Sequence, residues 1–485
     1  MRNNQRQAFY VFALLSLSAM LAVFGATAQQ KPEQDAKQKE TQKPARQSNN
    51  QPPQQGADDP VAITERAPVE KVREAPPAAI SSENFGSFYP PIINNKGEVA
   101  FISMFGSSTA KDGIGRSIFV RGADGGWRVT REGDKAANLS KGIYGLSPMY
   151  GFNDNGDLTF IASFEDESAK KSAPHDPNDP LAKPDRPLNR SIYFKSASGM
   201  KSLLKLGEEV PAMPSHFSGF SSVSTNNQGV TAFIGTYSDP DGKGLLMIEG
   251  GKLRLICRSG QPIGNGETGA FSEHYYPTPI NERNEVAFLA RIGDKSGIFV
   301  SRPKGLELIT ISGKPAPVED ATFIGFGNRA PAISDSGEIA FIGFWGGDNF
   351  GRGLFTKGDG PIKLVAKSGD KIGDTGATFT DFFTPAINSR GEVAFIGRYG
   401  GRSQGIFIKT AKGIEMIALV DQPVPGGAKD EVFNNLTQPS INDRGEVVFL
   451  AQTKIPGVKM DFIIFIRDEK GNLKQLVRRG EKMPK

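Results

Sequence analysis

The sequence predicts an all-β fold, a seven-bladed β-propeller of four-stranded antiparallel blades, and three observations lead there. An Asn-x-x-Gly-Glu-Val-Ala-Phe segment, intact from Asn388 to Phe395, recurs seven times after residue 85, starting at Asn94, Asn153, Asn226, Asn281, Ser334, Asn388 and Asn442. Its phenylalanines are evenly spaced: Phe233 to Phe288 spans 55 residues, Phe288 to Phe341 53, and the steps to Phe395 and Phe449 are 54 each. Each repeat also has room for four short apolar runs, which matches one propeller blade, for which known periods run from roughly 40 to 50 residues. The intervals from Phe101 to Phe160 and to Phe233 are longer, 59 and 73, and most of the second excess lies in a loop from Glu165 to Arg190. A linear β-solenoid competes, but its coils are shorter and its strands parallel, whereas Asn-x-x-Gly joins antiparallel neighbours.

The chain begins with Arg2 and Arg6 ahead of an apolar run from Ala8 to Gly25, followed by Ala26-Thr27-Ala28. That order is the order of a secretory signal peptide, residues 1–28, with a small-x-small cleavage site before Gln29. An uncleaved anchor is the alternative, and it is the one way in which this chain would touch a membrane. No cysteine follows the apolar run, so a lipoprotein anchor is excluded. Residues 29–78 are rich in Gln, Lys, Pro and Glu and poor in large apolar side chains. Such a stretch cannot bury enough surface to offset its ordering entropy, and it reads as a disordered tether. Val69 to Val72 resembles a fourth strand of the repeat that could pair with the last blade, but the last copy also supplies a fourth strand of its own at Leu473 to Val477, so both readings stay open. Residues 79–485 form the repeat domain.

Within a repeat, Asn can bond its own backbone two residues on, and Gly supplies positive φ at little steric cost. Asn284 replaces that Gly in copy four, and Asn is the residue that best tolerates the left-handed region. Ser334 replaces the Asn in copy five, and Val230 replaces the Glu in copy three. After the turn, the run from Glu392 to Ile396 is apolar on both alternating faces, so this strand is covered on both sides and neighbouring blades must stack on it. Third strands follow at Ser117 to Val120, Gly297 to Val300, Gly405 to Ile408 and Phe462 to Phe465. Fourth strands follow at Leu253 to Cys257, Leu306 to Ile309, Ile362 to Val365 and Leu473 to Val477, ending at glycines such as Gly260, Gly313, Gly369 and Gly480. The single Cys257 allows no internal disulfide, and its alternation with Leu253 and Leu255 places it on one buried face.

These seven copies resemble the bacterial Asn-x-x-Gly-x-x-Ala-Phe tandem-repeat proteins. The resemblance covers about residues 85 to 480 and implies a repeat β fold and an exported or surface-attached protein. It carries over no activity and no catalytic residue.

The formal charge of +5 is small for 485 residues, and basic and acidic side chains are interspersed, so nucleic acid is not an expected partner. His175, His216 and His274 occupy inequivalent repeat positions and form no ligand spacing. The Gly-x-Ser-x-Gly, Walker and His-Glu-x-x-His motifs are missing, so no cofactor or metal is expected. Asp239 and Asp241 before Gly242 read as a solvated turn. Recurring acids at Glu98, Asp157, Glu285, Glu338, Glu392 and Glu446 read as a structural position. The loops from second to third strand open on the face where propellers usually meet ligands, and they carry aromatic, Arg, Asp and Gly residues. The candidate ligand-binding residues are therefore Tyr237, Arg291, Phe344, Trp345, Asp348, Arg398 and Tyr399. The bland alternative is that these aromatics pack between blades. The reading is an exported, monomeric, non-enzymatic propeller binding a polysaccharide or protein at the cell envelope. The alternative is a hydrolase or lyase acting on a polysaccharide through carboxylates at the channel mouth.

Overall fold

In the computed structural model the described residues are 83–106, 114–137, 142–164, 189–238, 241–264, 267–347, 350–401, 403–457 and 460–484. They form seven antiparallel sheets, each contiguous in the chain. Blade five shows the pattern: an inner strand in two pieces, Thr322–Gly325 and Ala332–Ile333, then Ile339–Gly346, Gly351–Lys357 and Lys363–Lys367. Blade six repeats it with Phe379–Phe382 and Ala386–Ile387, Val393–Tyr399, Ser403–Thr410 and Gly413–Leu419. These residues belong to the unit Ala75–Lys485. The Val69 to Val72 segment lies outside the described residues, and blade seven has its own fourth strand, Leu473–Arg478.

The repeat phenylalanine explains the packing. Phe101, Phe160, Phe233, Phe288, Phe341, Phe395 and Phe449 are all fully buried. In six blades the ring stacks on a third-strand aromatic, as Phe341 does on Phe355 with centroids 5.6 Å apart. A first-strand ring meets this pair edge-on, Phe323 lying 5.2 Å from Phe355. Offset and edge-to-face contacts of this kind add to the area each ring removes from water. Both faces of the second strand are used, since Phe395 packs in one cluster and Ala394 and Ile396 in the next.

One joint recurs between blades. The second residue after the fourth strand donates its amide to the inner strand of the next blade: Gly133 to Ile143 O, Gly207 to Phe217 O, Gly260 to Phe271 O, Gly313 to Phe323 O, Gly369 to Phe379 O and Asp421 to Phe433 O, all at 2.7–2.8 Å. Gly480 makes the same bond to Phe85 O at 2.8 Å, so the last blade closes on the first with the joint used everywhere else. Phe85, Phe88 and Phe101 share a core cluster with Val448, Leu450 and Ile464.

The turn asparagine does more than close its own hairpin. Asn94 Oδ1 accepts the amides of Lys96 and Glu98 at 3.1 and 2.9 Å, while Nδ2 donates to Glu98 Oε2 at 2.8 Å and to Asn153 O of the next blade at 3.0 Å. Two acceptor and two donor bonds exhaust what a buried amide offers, and no other short side chain supplies them. Asn153, Asn226, Asn281, Asn388 and Asn442 pass the same bond onward at 2.8–3.0 Å, the last of them to Asn94 O. Ser334 has no second donor, so the ring is interrupted between blades five and six. In blade three Val230 removes the acidic acceptor, and Asn226 Nδ2 donates instead to Asn284 Oδ1 at 2.6 Å. Asn284 holds φ at 58°, so the two departures from the motif are one compensated change.

Cys257 is buried, but not on the face of Leu253 and Leu255. A bulge lets Leu246 pair with Leu255 while its neighbour Leu245 pairs with Cys257. The extra residue turns Cys257 into the cluster around Phe288, whereas Leu253 and Leu255 pack in the cluster around Phe233.

Candidate functional site

The residue after each turn asparagine sits at the seams on the face of the first-to-second-strand turns. Asp154 Oδ1 accepts the amide of Asn95 at 2.7 Å, Glu282 Oε1 that of Asn227 at 2.9 Å, Asp335 Oδ1 that of Glu282 at 2.9 Å, and Asp443 Oδ1 that of Ser389 at 2.7 Å. Burial pushes the carboxyl of Asp335 above its ordinary range, helped by the charges of Asp443 and Asp154. Glu282 is raised likewise by burial and by the charges of Asp335 and Asp154, against the pull of the Asn227 amide. These four carboxylates are candidates for chemistry at the channel mouth, yet each already serves as an acceptor for the preceding blade. Among the described residues no group of three or more His, Cys, Asp or Glu is arranged to hold a metal. His216 is exposed at the start of its strand, and His175 lies outside the described residues.

On the opposite face the predicted residues divide by strand alternation. Tyr237 and Trp345 follow their repeat phenylalanine by four positions and share its side. Both are buried, and each ring lies over a glycine that opens the third strand: a Cβ on Gly351 would stand 2.1 Å from Trp345, and one on Gly242 2.8 Å from Tyr237. The Tyr237 hydroxyl donates to Lys243 O at 3.2 Å. Tyr399, at the equivalent position, is half-buried against the cluster of Phe379 and Phe395, and burial raises its phenol. Asp348 lies outside the described residues. Arg291, Phe344 and Arg398 stand one residue earlier, on the other side of their strands. Arg291 is exposed, and the other two are half-exposed.

Phe344 and Arg398 are brought together with residues not singled out from the sequence. Arg329 grips Asp381 through both terminal nitrogens, at 3.1 and 3.0 Å, and Arg352 approaches the same carboxylate at 3.3 Å. The Arg329 guanidinium lies 4.4 Å from the centre of the Phe383 ring, and that of Arg398 lies 4.8 Å from the same ring. Arg352 stands 5.5 Å from Phe344 and 5.7 Å from Phe350, whose side chain is 63% exposed. Arg398 Nε is buried without a hydrogen-bond partner. Arg329 and Phe383 each stand twelve residues before their repeat phenylalanine, and that shared register on adjoining blades is the signal that would have found them.

The chain matches the family of unknown function DUF7453 over residues 68–414 and 399–484. It belongs to that family. None of the curated proteins matches this DUF7453 sequence. Among solved structures it is similar to the β-propeller domain of the Trilobed protease from Pyrococcus furiosus, at 10% identity and a TM-score of 0.47, over 82% of this chain and 99% of that one. It is also similar to the Pyrococcus horikoshii acylaminoacyl peptidase, at 10% identity and a TM-score of 0.45, over 81% of this chain and 54% of that one. The six-bladed fungal lectin from Aleuria aurantia follows at 11% identity and a TM-score of 0.31, over 71% and 99%. At these identities the likeness concerns the fold.

Proposed function

We propose that this propeller is an exported, non-enzymatic binding module that takes a polymer or protein ligand at the cell envelope through the face of its second-to-third-strand loops. The observation that carries the reading is the cluster on blades five and six, where Arg329 and Arg352 share the Asp381 carboxylate, Arg398 lies over the neighbouring Phe383 ring, and Phe350 exposes its ring beside Arg352. Arginine and aromatic side chains of this kind supply contact area and directed donors with few rotamers to freeze. Export rests on the sequence of residues 1–28, and residues 29–78 serve as the tether. The hydrolase or lyase reading would draw on Asp154, Glu282, Asp335 and Asp443, which are engaged in holding the ring together. The test is a glycan array together with pull-down from envelope extracts, comparing the full chain with Arg398→Ala and Phe350→Ala. Capture of a ligand that both substitutions weaken supports the reading. A ligand bound equally by all three proteins removes this face from it.

A further inference from the structure

Resting on that reading, we propose that the cluster on blades five and six recognises the carboxylate groups of an acidic polysaccharide, with Arg398 as the residue that meets the anion. Arg329 is already matched, since its planar fork is closed by both oxygens of Asp381. Arg352 shares that carboxylate through one nitrogen. Arg398 stands directly across the strand pair from Asp381, yet it makes no ion pair with it and lays its guanidinium on Phe383 instead. Among the described residues, one carboxylate thus stands among three permanent positive charges. Two of those charges share one ring, and a donor nitrogen of the unmatched one is buried and empty. A guanidinium resting on a ring still carries a planar fork of N–H donors, which fits a carboxylate with two parallel hydrogen bonds.

The neighbouring surface favours a sugar over a peptide as the bearer of that carboxylate. Phe350 offers an exposed ring beside Arg352, suited to the C–H face of a pyranose, and Gly346 and Gly347 precede it without side chains.

The experiment is titration calorimetry of the full chain with polygalacturonate, with uncharged dextran and poly-L-glutamate as comparison polymers, each at two salt concentrations. The variants are Arg398→Gln, which removes the charge, and Arg398→Lys, which keeps the charge and loses the fork, with thermal unfolding to show that each is folded. Expected are binding of polygalacturonate that weakens with salt, a loss of about tenfold or more in Arg398→Gln, and an intermediate loss in Arg398→Lys. Dextran bound as tightly as polygalacturonate, or polygalacturonate binding untouched by Arg398→Gln, overturns the anionic inference and leaves the broader binding reading standing. Poly-L-glutamate bound as tightly as polygalacturonate overturns the sugar in favour of an acidic protein. A folded chain that binds none of the three overturns the inference, and the extract pull-down then judges the broader reading separately.

Discussion

Replacing Asn442 by serine copies into blade seven the residue that blade five carries naturally. Asn442 Nδ2 donates to Asn94 O at 2.9 Å, the bond that closes the ring onto blade one, and to Glu446 Oε2 at 2.7 Å, while Oδ1 accepts the amides of Arg444 and Glu446. Serine preserves an acceptor, because Ser334 Oγ accepts the Glu338 amide at 3.1 Å, but both donor bonds go. A neutral bond contributes about 1 kcal/mol and a bond to a carboxylate about 1.5–3. Asn94 O keeps the amide of Gly97 and Glu446 keeps Arg444, so neither acceptor is orphaned and the expected loss is about 2.5–4 kcal/mol. The reciprocal change, Ser334→Asn, should let blade five reach Asn388 O and raise stability by about 1–2 kcal/mol. Urea unfolding followed by far-ultraviolet circular dichroism measures both. An Asn442→Ser midpoint equal to wild type, or a Ser334→Asn protein that is less stable, would refute the claim that these amides hold the seams.

Three further expectations follow from named contacts. Asn284→Gly removes the acceptor of Asn226 but also a left-handed side chain, so it should cost less than about 1 kcal/mol. Combined with Val230→Glu it should be non-additive by about 1 kcal/mol in a double-mutant cycle, and strict additivity would show that the two positions are independent. Asp335→Asn keeps an acceptor for the Glu282 amide, as Asn227 does for Asp154, while removing a carboxyl whose folded pKa is raised. A raised acid favours folding below its unfolded value and loses that contribution as pH rises through its folded one. The variant should therefore exceed wild type in stability near neutral pH and lose its advantage below pH ~4, and a constant difference between the two conditions would contradict this. Burial pushes Glu431 upward, but the Arg478 fork at 2.9 and 3.1 Å, Thr453 at 2.6 Å and the Ala428 amide outweigh it and leave the pKa low. Its carboxylate is fully covered, so Glu431→Gln should cost about 3 kcal/mol. That cost should shrink as pH falls through the lowered value, and thermal unfolding over pH reads it directly.

Periodicity made the fold legible because every strand and turn of a blade carries the same apolar order. It did not show the partner of the turn asparagine. A residue that closes its own turn and one that also grips the next blade produce the same repeat, so the change to Ser334 looks confined to its own turn when its loss falls on the seam. The coupling of Val230 with Asn284 was hidden for the same reason, since the two lie on different blades. The burial of Tyr237 and Trp345 was legible: Phe341, Gly343 and Trp345 share one side of their strand, and the loop face had to be read from Phe344 instead. Arg329, Asp381 and Phe383 lie outside the Asn-to-Phe segment and on two different blades, so the repeat motif offers no reason to join them.

The seam that lacks the asparagine bond is the seam that carries the cluster. Between blades five and six, Ser334 offers no donor to Asn388 O, and Ser389 Oγ is buried without a partner where other blades accept an amide from their neighbour. On the opposite face the same two blades are joined by the two bonds of Arg329 to Asp381 and by Arg329 on Phe383. The next seam shows what this costs in specificity. There Gln404, in the register of Arg352, reaches Asn435, in the register of Asp381, at 2.6 Å with neutral groups. Neutral amides would thus serve as a joint between blades five and six as well. Joining the blades does not require two arginines on one aspartate with a third beside them, and among the described residues that surplus positive charge is what the proposed anionic ligand would use.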